Sequence, residues 1–407
     1  MLAKVAWLNI WRNPLRSLVV IVSIILGVWA GLFVMAFSKG MNEQRKAAMI
    51  RTSLSHIQVH HGDHVKAEKV GNHFGERGAE LQKLLDTLDG VGVYSFRSSI
   101  NGMASSPKGG GGVSIQGIDP DRESRVTTVP ENIIKGHYFD SARFEHPIVV
   151  GKALLEKLDL QLHSKLVLRF QGVKGNVVAS SYRIVGVFET VSSGFDETHI
   201  FIPRKDLMAS MGVERPIYHE AAIILEDPER LKGIAARIDQ AFPDLEARTW
   251  KELSPQLGYA DQLMSSMMYI FIGIIMLALA FGIVNSMLMA VLERKRELGM
   301  LMAIGMNRTR VFGMILLETL YLSLLSGPLG ILFSYGSIEY FGRVGIDLSM
   351  VAEGLRSLAV GRIVHPTLDP VFYWNVGGIV ILTAFLASIY PARKALKLKP
   401  AEAVRTI

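Results

Sequence analysis

Four stretches of this chain run apolar for longer than a globular core requires. Residues 17–38, 262–292 and 371–392 carry no charge at all, and 311–341 carries only Glu318 and Glu339. A spanning helix needs roughly 20 apolar residues, and hydrocarbon forces each backbone to satisfy its own hydrogen bonds. The pattern therefore predicts four transmembrane helices. The first is read as a retained span, since the apolar core of a cleaved leader is roughly 7–15 residues.

Between the first two spans, residues 39–261 alternate helical and strand-like periods. An amphipathic helix is predicted over 76–88 and a short helix over 152–158. Strands are predicted over 91–105, 113–117, 165–170, 181–190 and 199–203. The intervening PKGGGG segment, 107–112, reads as a flexible hairpin tip or flap. Residues 221–225, 228–242 and 245–249 read as strand–helix–strand. The insert is thus a large α+β domain, expected as two subdomains divided near 130–145. Residues 342–370 form a second loop outside the membrane.

Charge turns four spans into a topology. The chain has 407 residues, 49% of them hydrophobic, and a formal net charge of +7. Placing residues 1–16, 293–310 and 393–407 on one side gathers thirteen Lys and Arg there against three acids. That asymmetry puts both termini in the cytoplasm. It also accounts for the basic balance through anionic headgroups, with no need of nucleic acid. Residues 1–16 carry Trp7 and Trp11 one turn apart and read as an interfacial helix. The absence of cysteine excludes disulfides, thiolate metal sites and cysteine nucleophiles.

Catalytic patterns are sparse. No GxxxxGKS or GxxxxGKT segment occurs, so the chain has no phosphate-cradling loop of its own, and GxSxG and HExxH are also missing. His56, His60, His61 and His64 with Asp63 have the residue types of a metal site. However, His56, Gln58 and His60 alternate with Ile57 and Val59, so the segment is read as the polar face of a solvated strand edge, with no metal. Asp196 and Glu197 are read as turn residues. Glu318 is expected to pair with Arg308 or Arg310, and Gly327-Pro328 to kink the third span.

The densest polar feature is LERKRELGMLMAIG, residues 292–305. Glu293 and Glu297 are an i, i+4 pair, and Leu298, Leu301 and Met302 continue one apolar stripe. Gly305 suits a helix C-terminus and Asn307 the start of the next helix. A simple reversal needs two to eight residues, so this is a short amphipathic helix. Two surfaces fit it, the membrane and a groove on a cytosolic partner.

Residues 285–305 closely resemble the signature of FtsX-like permeases, the membrane subunits of MacB/LolCDE-type ABC transporters. The tail, Tyr390 to Ala395 and Pro400 to Ala403, is similar to that family's. Residues 117–120, 148–154 and 182–190 resemble the MacB-like periplasmic core domain. His163-Ser164 stands where relatives often carry Gly-Asp, which bears only on a turn. The resemblance implies a permease dimer (homodimer or related heterodimer) working with two copies of a cytoplasmic ABC ATPase in the bacterial inner membrane. ATP and Mg would belong to that partner, and this chain would be no enzyme itself. Glu293, Arg294, Lys295, Arg296, Glu297, Leu298, Gly299, Leu301, Met302 and Gly305 would form the coupling helix in the ATPase groove. Among family activities, the layout is closest to the lipoprotein-releasing LolC/LolE permeases, with MacB-like efflux or FtsX-like hydrolase activation as alternatives. For lipoprotein release, a periplasmic carrier is a further partner. Val34, Phe37, Met264, Met267, Met268 and Phe271 would then line an acyl-chain entry.

Overall fold

The computed structural model describes residues 2–62, 70–75, 77–139, 144–351, 354 and 360–396. They gather into a helical unit (1–42, 261–347 and 363–407) and an α/β unit (43–260 and 348–362).

The helical unit contains α1 (Leu2–Arg12), α2 (Pro14–Met49), α10 (Pro255–Glu293), α11 (Lys295–Ala303), α12 (Arg308–Val344) and α13 (Pro370–Leu396). Helices α2, α10, α12 and α13 are long and apolar enough to cross a membrane. Their shared core follows helical spacing. Val20, Ile24, Val28, Leu32 and Met35 of α2 share one buried core with Met276, Ile283 and Met287 of α10, Met314 and Leu322 of α12, and Val380 and Ala384 of α13. Close approach relies on small residues, as expected where lipid supplies no hydrophobic drive for association. At Gly330 a Cβ would already stand 3.0 Å from Val28. Buried Ser326 and Ser334 return their hydroxyls to the carbonyls of Leu322 and Gly330. Helix α12 runs on through Pro328 without ending. Two helices exceed the predicted spans: α2 continues to Met49 and α10 begins at Pro255. Apolar composition marks the bilayer thickness, whereas the helical hydrogen-bond ladder continues past it. A two-stranded ribbon, β11 (Ile346–Asp347) with β12 (Ile363–Val364), lies before α13.

The α/β unit is organised on one sheet. Its strands are β1 (Ile57–His61), β2 (Val91–Ser106), β3 (Gly109–Ile118), β4 (Ile133–Gly136), β5 (Pro147–Gly151), β6 (Lys165–Gln171), β7 (Val177–Phe188), β8 (His199–Pro203), β9 (Glu220–Leu225) and β10 (Leu245–Thr249). They run in the order β10-β1-β9-β2-β3-β8-β5-β7-β4, with β6 pairing β2 and β7. The long strand β2 joins two halves: its first part pairs with β9, and Ser98 onward pairs with β3 and β6. One half buries Ile57, Phe96 and Ile223 under α3 (Arg77–Thr87) and α8 (Leu231–Ala241). The other buries Ile115, Leu168, Tyr182 and Ile200 with α5 (Lys152–Lys157) and α7 (Arg204–Met211). Three shorter helices, α4 (Pro120–Val126), α6 (Ser193–Thr198) and α9 (Trp250–Leu253), fill the connections.

Three expectations need correction. A linear division near 130–145 does not describe the sheet, because β9 and β10 return to pair around β1 and leave the second half nested inside the first. The hairpin expected at 107–112 is present, but the glycines 109–112 are not its loop. They lie in β3 opposite Ser106 to Met103, which shrinks the turn to Pro107-Lys108, and Lys108 is ion-paired with Asp159. Finally, β1 is no edge strand, since β9 and β10 flank it and Gln58 and His60 are buried. At the turn before β6, His163 holds φ +68, a left-handed conformation that a non-glycine residue adopts at some cost.

A charged triad sits inside this unit. Arg97 donates from Nε (3.0 Å) and Nη2 (2.7 Å) to Glu123 Oε1 and from Nη1 to Glu220 Oε1 at 2.7 Å. All three side chains are buried. Removing one member of such a site leaves desolvated charge behind, at a cost of about 3–5 kcal/mol. Arg97→Met should therefore destabilise the α/β unit by that order, read as accelerated proteolysis within 43–260 under denaturant in the full chain. Unaltered protection would mean that water already reaches the carboxylates.

His199 gives a second prediction. Its ring stacks on Phe195 with centroids 4.1 Å apart, and burial pulls its pKa down to about 4. The unfolded chain takes up that proton near pH 6.5. Between these values the unfolded state binds more protons, so stability present above pH 6.5 is lost as pH falls toward 4. His199→Phe should flatten that part of the stability–pH profile measured by denaturant unfolding.

Candidate functional site

Helix α10 ends at Glu293 because Arg294 leaves helical geometry (φ −92°, ψ 13°), and α11 starts one residue later. Gly305, at φ +99, supplies the left-handed step after α11 that only glycine takes without strain. Asn307 then caps α12 by accepting from Thr309 N at 3.3 Å. These local signals match the expected short helix.

What holds the helix in place is a polar network. Arg294 Nη1 donates to Glu318 Oε1 at 3.2 Å, and Nη2 donates to the carbonyl of Asn9 at 2.9 Å. Asn9 Nδ2 donates back to Glu318 Oε1 at 2.7 Å. On the exposed side, Arg12 makes a two-pronged contact with Glu297 at 3.0 and 2.7 Å. Together these contacts join α1, α11 and α12. The partner of Glu318 is thus Arg294 and not Arg308 or Arg310, both of which are exposed. Eight or ten residues along one helix separate side chains by about 12–15 Å, beyond the reach of a direct pair. On α1, Trp7 and Trp11 are exposed and packed edge to face.

The faces of α11 sort the expected residues. Leu298 and Gly299 are buried, and Leu301 and Met302 pack half-buried against the helical core. Arg294, Lys295 and Glu297 are half-buried, while Glu293, Arg296 and Gly305 are exposed. Two apolar residues outside the expected set face outward, Met300 at 49% and Ile304 at 79% exposure. With Arg296 they form a second stripe at i, i+4, i+8, the signal that could have revealed them.

The expected acyl-chain set is divided. A cleft of about 470 Å³ between α2 and α10 is lined by Gly27, Gly31, Val34, Phe271 and Ile275, which brings Val34 and Phe271 together. Met268 is buried in helix packing instead, Met267 is exposed, and Met264 and Phe37 are half-buried away from the cleft lining. Sequence reasoning missed a contact at the cleft-side ends of these helices. Asn42 Nδ2 donates to Asp261 Oδ1 at 3.0 Å, tying together the two points where the chain leaves the helical unit. Nearby, Gly40 lies so close to the His365 carbonyl that a Cβ would overlap it at 2.2 Å.

The remaining candidates serve structure. His56 Nδ1 accepts from Leu225 N, and the His60 ring nitrogens meet the His219 carbonyl and Gln58 Oε1. Among the described residues, no three His, Asp or Glu side chains converge as metal ligands; Asp63 and His64 lie outside them. Asp196 is buried and accepts from Thr190 N and Oγ1, while Glu197 pairs with Lys157. The tail residues 397–407 also lie outside the described residues.

Four membrane-length helices, an α/β domain inserted after the first, and a braced short helix between the second and third define an ABC transporter permease. The FtsX-like permease C-terminal family matches residues 269–400 and the MacB-like periplasmic core domain family matches 17–241. The chain belongs to this FtsX-like, MacB-type permease family. It is 22% identical to the lipoprotein-releasing system transmembrane protein LolC of Neisseria meningitidis, over 97% of this chain and 95% of that protein. It is 23% identical to the macrolide export ATP-binding/permease protein MacB of Hahella chejuensis, over 98% of this chain but only 59% of the relative. The extracellular domain of YknZ, a noncanonic ABC-type transporter from Gram-positive bacteria, aligns over 47% of the chain with 15% identity and a TM-score of 0.34.

The polar network makes a prediction. Arg294→Met or Glu318→Leu alone strands one buried partner and should cost about 3–5 kcal/mol. The double variant, apolar on both sides, should recover most of that loss in thermal melting of the purified chain. A double variant no better than either single one would assign the stability to Asn9's hydrogen bonds rather than to charge pairing.

Proposed function

We propose that α11 is the coupling helix on which a cytoplasmic ABC ATPase acts, and that Arg296, Met300 and Ile304 form its contact face. The observation that carries this is the exposure of two large apolar side chains, Met300 on α11 and Ile304 at its C-terminal cap, in an element fixed to α1 and α12. A braced helix transmits a push from its outer face, whereas a loose one would absorb it. In this reading two ATPase copies bind ATP and Mg, and two permeases (this chain with itself or with a relative) form the membrane part. The complex sits in the bacterial inner membrane with both termini cytoplasmic, consistent with the Lys and Arg asymmetry.

The cargo reading is extraction of lipoproteins from the outer leaflet for transfer to a periplasmic carrier. Near end-to-end similarity to LolC supports it. The cleft between α2 and α10, with Val34 and Phe271 on its wall, offers apolar surface for acyl chains. Export of a small amphiphile is the reading that similarity to MacB supports.

One reconstitution tests both layers. In vesicles carrying the chain with its ATPase, ATP should drive transfer of a triacylated lipoprotein to a soluble acceptor. Met300→Asp/Ile304→Asp should reduce ATPase co-purification by about tenfold or more and abolish transfer. Undiminished co-purification would overturn the contact face. ATP-driven movement of a small amphiphile but not of lipoprotein would replace release by efflux, and gain of activity in a wall hydrolase without cargo movement would replace transport by regulation.

A further inference from the structure

Strand β3 is paired along nearly its whole length on one edge and only in part on the other. Toward β2 its register runs from Gly109, opposite Ser106, to Gly117, opposite Ser98. Toward β8 it is paired only from Ser114 to Ile118. Successive residues of a strand turn their N–H and C=O groups to opposite edges. In a two-residue hairpin the closing residues, here Ser106 and Gly109, exchange both bonds with each other. Gly110 and Gly112 therefore turn theirs outward. Both are exposed, and among the described residues none pairs with them on that edge.

The hairpin is held in place. Ser106 Oγ donates to the Leu158 carbonyl at 2.9 Å, and Lys108 is ion-paired with Asp159. Ala104 and Val113 share a core with Leu154 and Leu158, so α5 covers one face of the hairpin. The opposite face is open, with Met103 at 49% exposure. Sheet edges in solvent are ordinarily guarded by charged side chains, prolines or bulges. Residues 109–112 carry no side chain, and their register with β2 runs on without a break. A Cβ at Gly112 would meet nothing within 4 Å. An edge whose donors and acceptors are all main-chain recognises another extended backbone, whatever its side chains. Residues 109–113 span about 17 Å. That length seats one short peptide strand and is far less contact than a stable pairing of two copies needs.

We propose that the free edge of β3 over residues 109–113 binds an extended peptide segment of a partner protein by strand addition, with Gly110 and Gly112 supplying the N–H and C=O groups. The inference does not depend on which cargo the permease handles.

The test uses the full chain in lipid nanodiscs and a fluorescein-labelled, end-capped hexapeptide of alternating Thr and Val, followed by anisotropy. The peptide should bind saturably, and its fully N-methylated analogue, which keeps the side chains but has no main-chain donor, should not. Gly112→Pro removes an outward N–H without touching the pairing to β2 and should weaken binding by about three- to tenfold. Gly112→Ala, whose Cβ enters open space, should bind as the wild type does. If Gly112→Pro lowers the melting temperature, the N-methylated analogue decides. No saturable binding, equal binding of the analogue, or equal affinity of a stable Gly112→Pro would each overturn the proposal. Self-association abolished by Gly112→Pro, with no peptide binding, would assign the edge to a second copy instead.

Discussion

Glu318 lies about ten residues into α12, on the order of 15 Å along its axis, and is 8% exposed. A carboxylate so placed costs several kcal/mol to desolvate unless a cation and hydrogen-bond donors meet it there. Arg294 and Asn9 do so together. The planar guanidinium serves two acceptors in fixed directions, Glu318 and the Asn9 carbonyl. For this to happen α10 must stop at Glu293, so that Arg294 can turn out of the ladder, and α1 must lie against α12. The starting point and placement of α11 follow from those two requirements. The Arg12–Glu297 contact then fixes its exposed flank. Exposed pairs of this kind contribute little energy by themselves, so the buried member of the network sets the geometry and the exposed one only narrows it.

Which parts of this were legible in the sequence depends on how local each cause is. The glycine after α11 and the asparagine before α12 act within a few residues, and the sequence patterns located both; the break at Arg294 they did not, because Glu293 and Glu297 read as an i, i+4 pair of one helix and in fact lie on two. The partner of Glu318 is set by a chain reversal. Arg308 and Arg310 are nearer in sequence but lie on the same helix at the wrong distance, while Arg294 is brought in by the turn. The long α2 and α10 show the same limit from another side. Hydropathy reports where lipid begins and ends, and it is silent about helix that continues past the lipid.

The sheet domain shows why alternation alone could not locate its polar interior. His56, Gln58 and His60 alternate with Ile57 and Val59 as an exposed strand would. Yet β9 and β10 close around β1, and the polar side face meets other polar groups rather than solvent. A period of two separates the faces of a strand and does not say what covers each of them. The Gly109–Gly112 run misled for the converse reason. Glycine lowers strand propensity, but nine consecutive pairings between β2 and β3 impose the register regardless. The nested order of the halves has the same origin, since antiparallel return of β9 and β10 to β1 depends on contacts across the whole insert.

Amphipathic helices are usually placed by their apolar stripe, and in α11 that stripe faces the chain's own core. Its conspicuous stripe, with Leu298 at the centre, is already satisfied by the helical core of its own chain. Burial of that stripe places the helix. What remains exposed is a weaker stripe, Arg296, Met300 and Ile304, whose apolar members gain nothing from solvent and whose removal from water would favour association. A helix packed by one face and braced by charges at its start therefore holds its opposite face toward solvent. The stronger the inward stripe, the more rigidly that outward face is held.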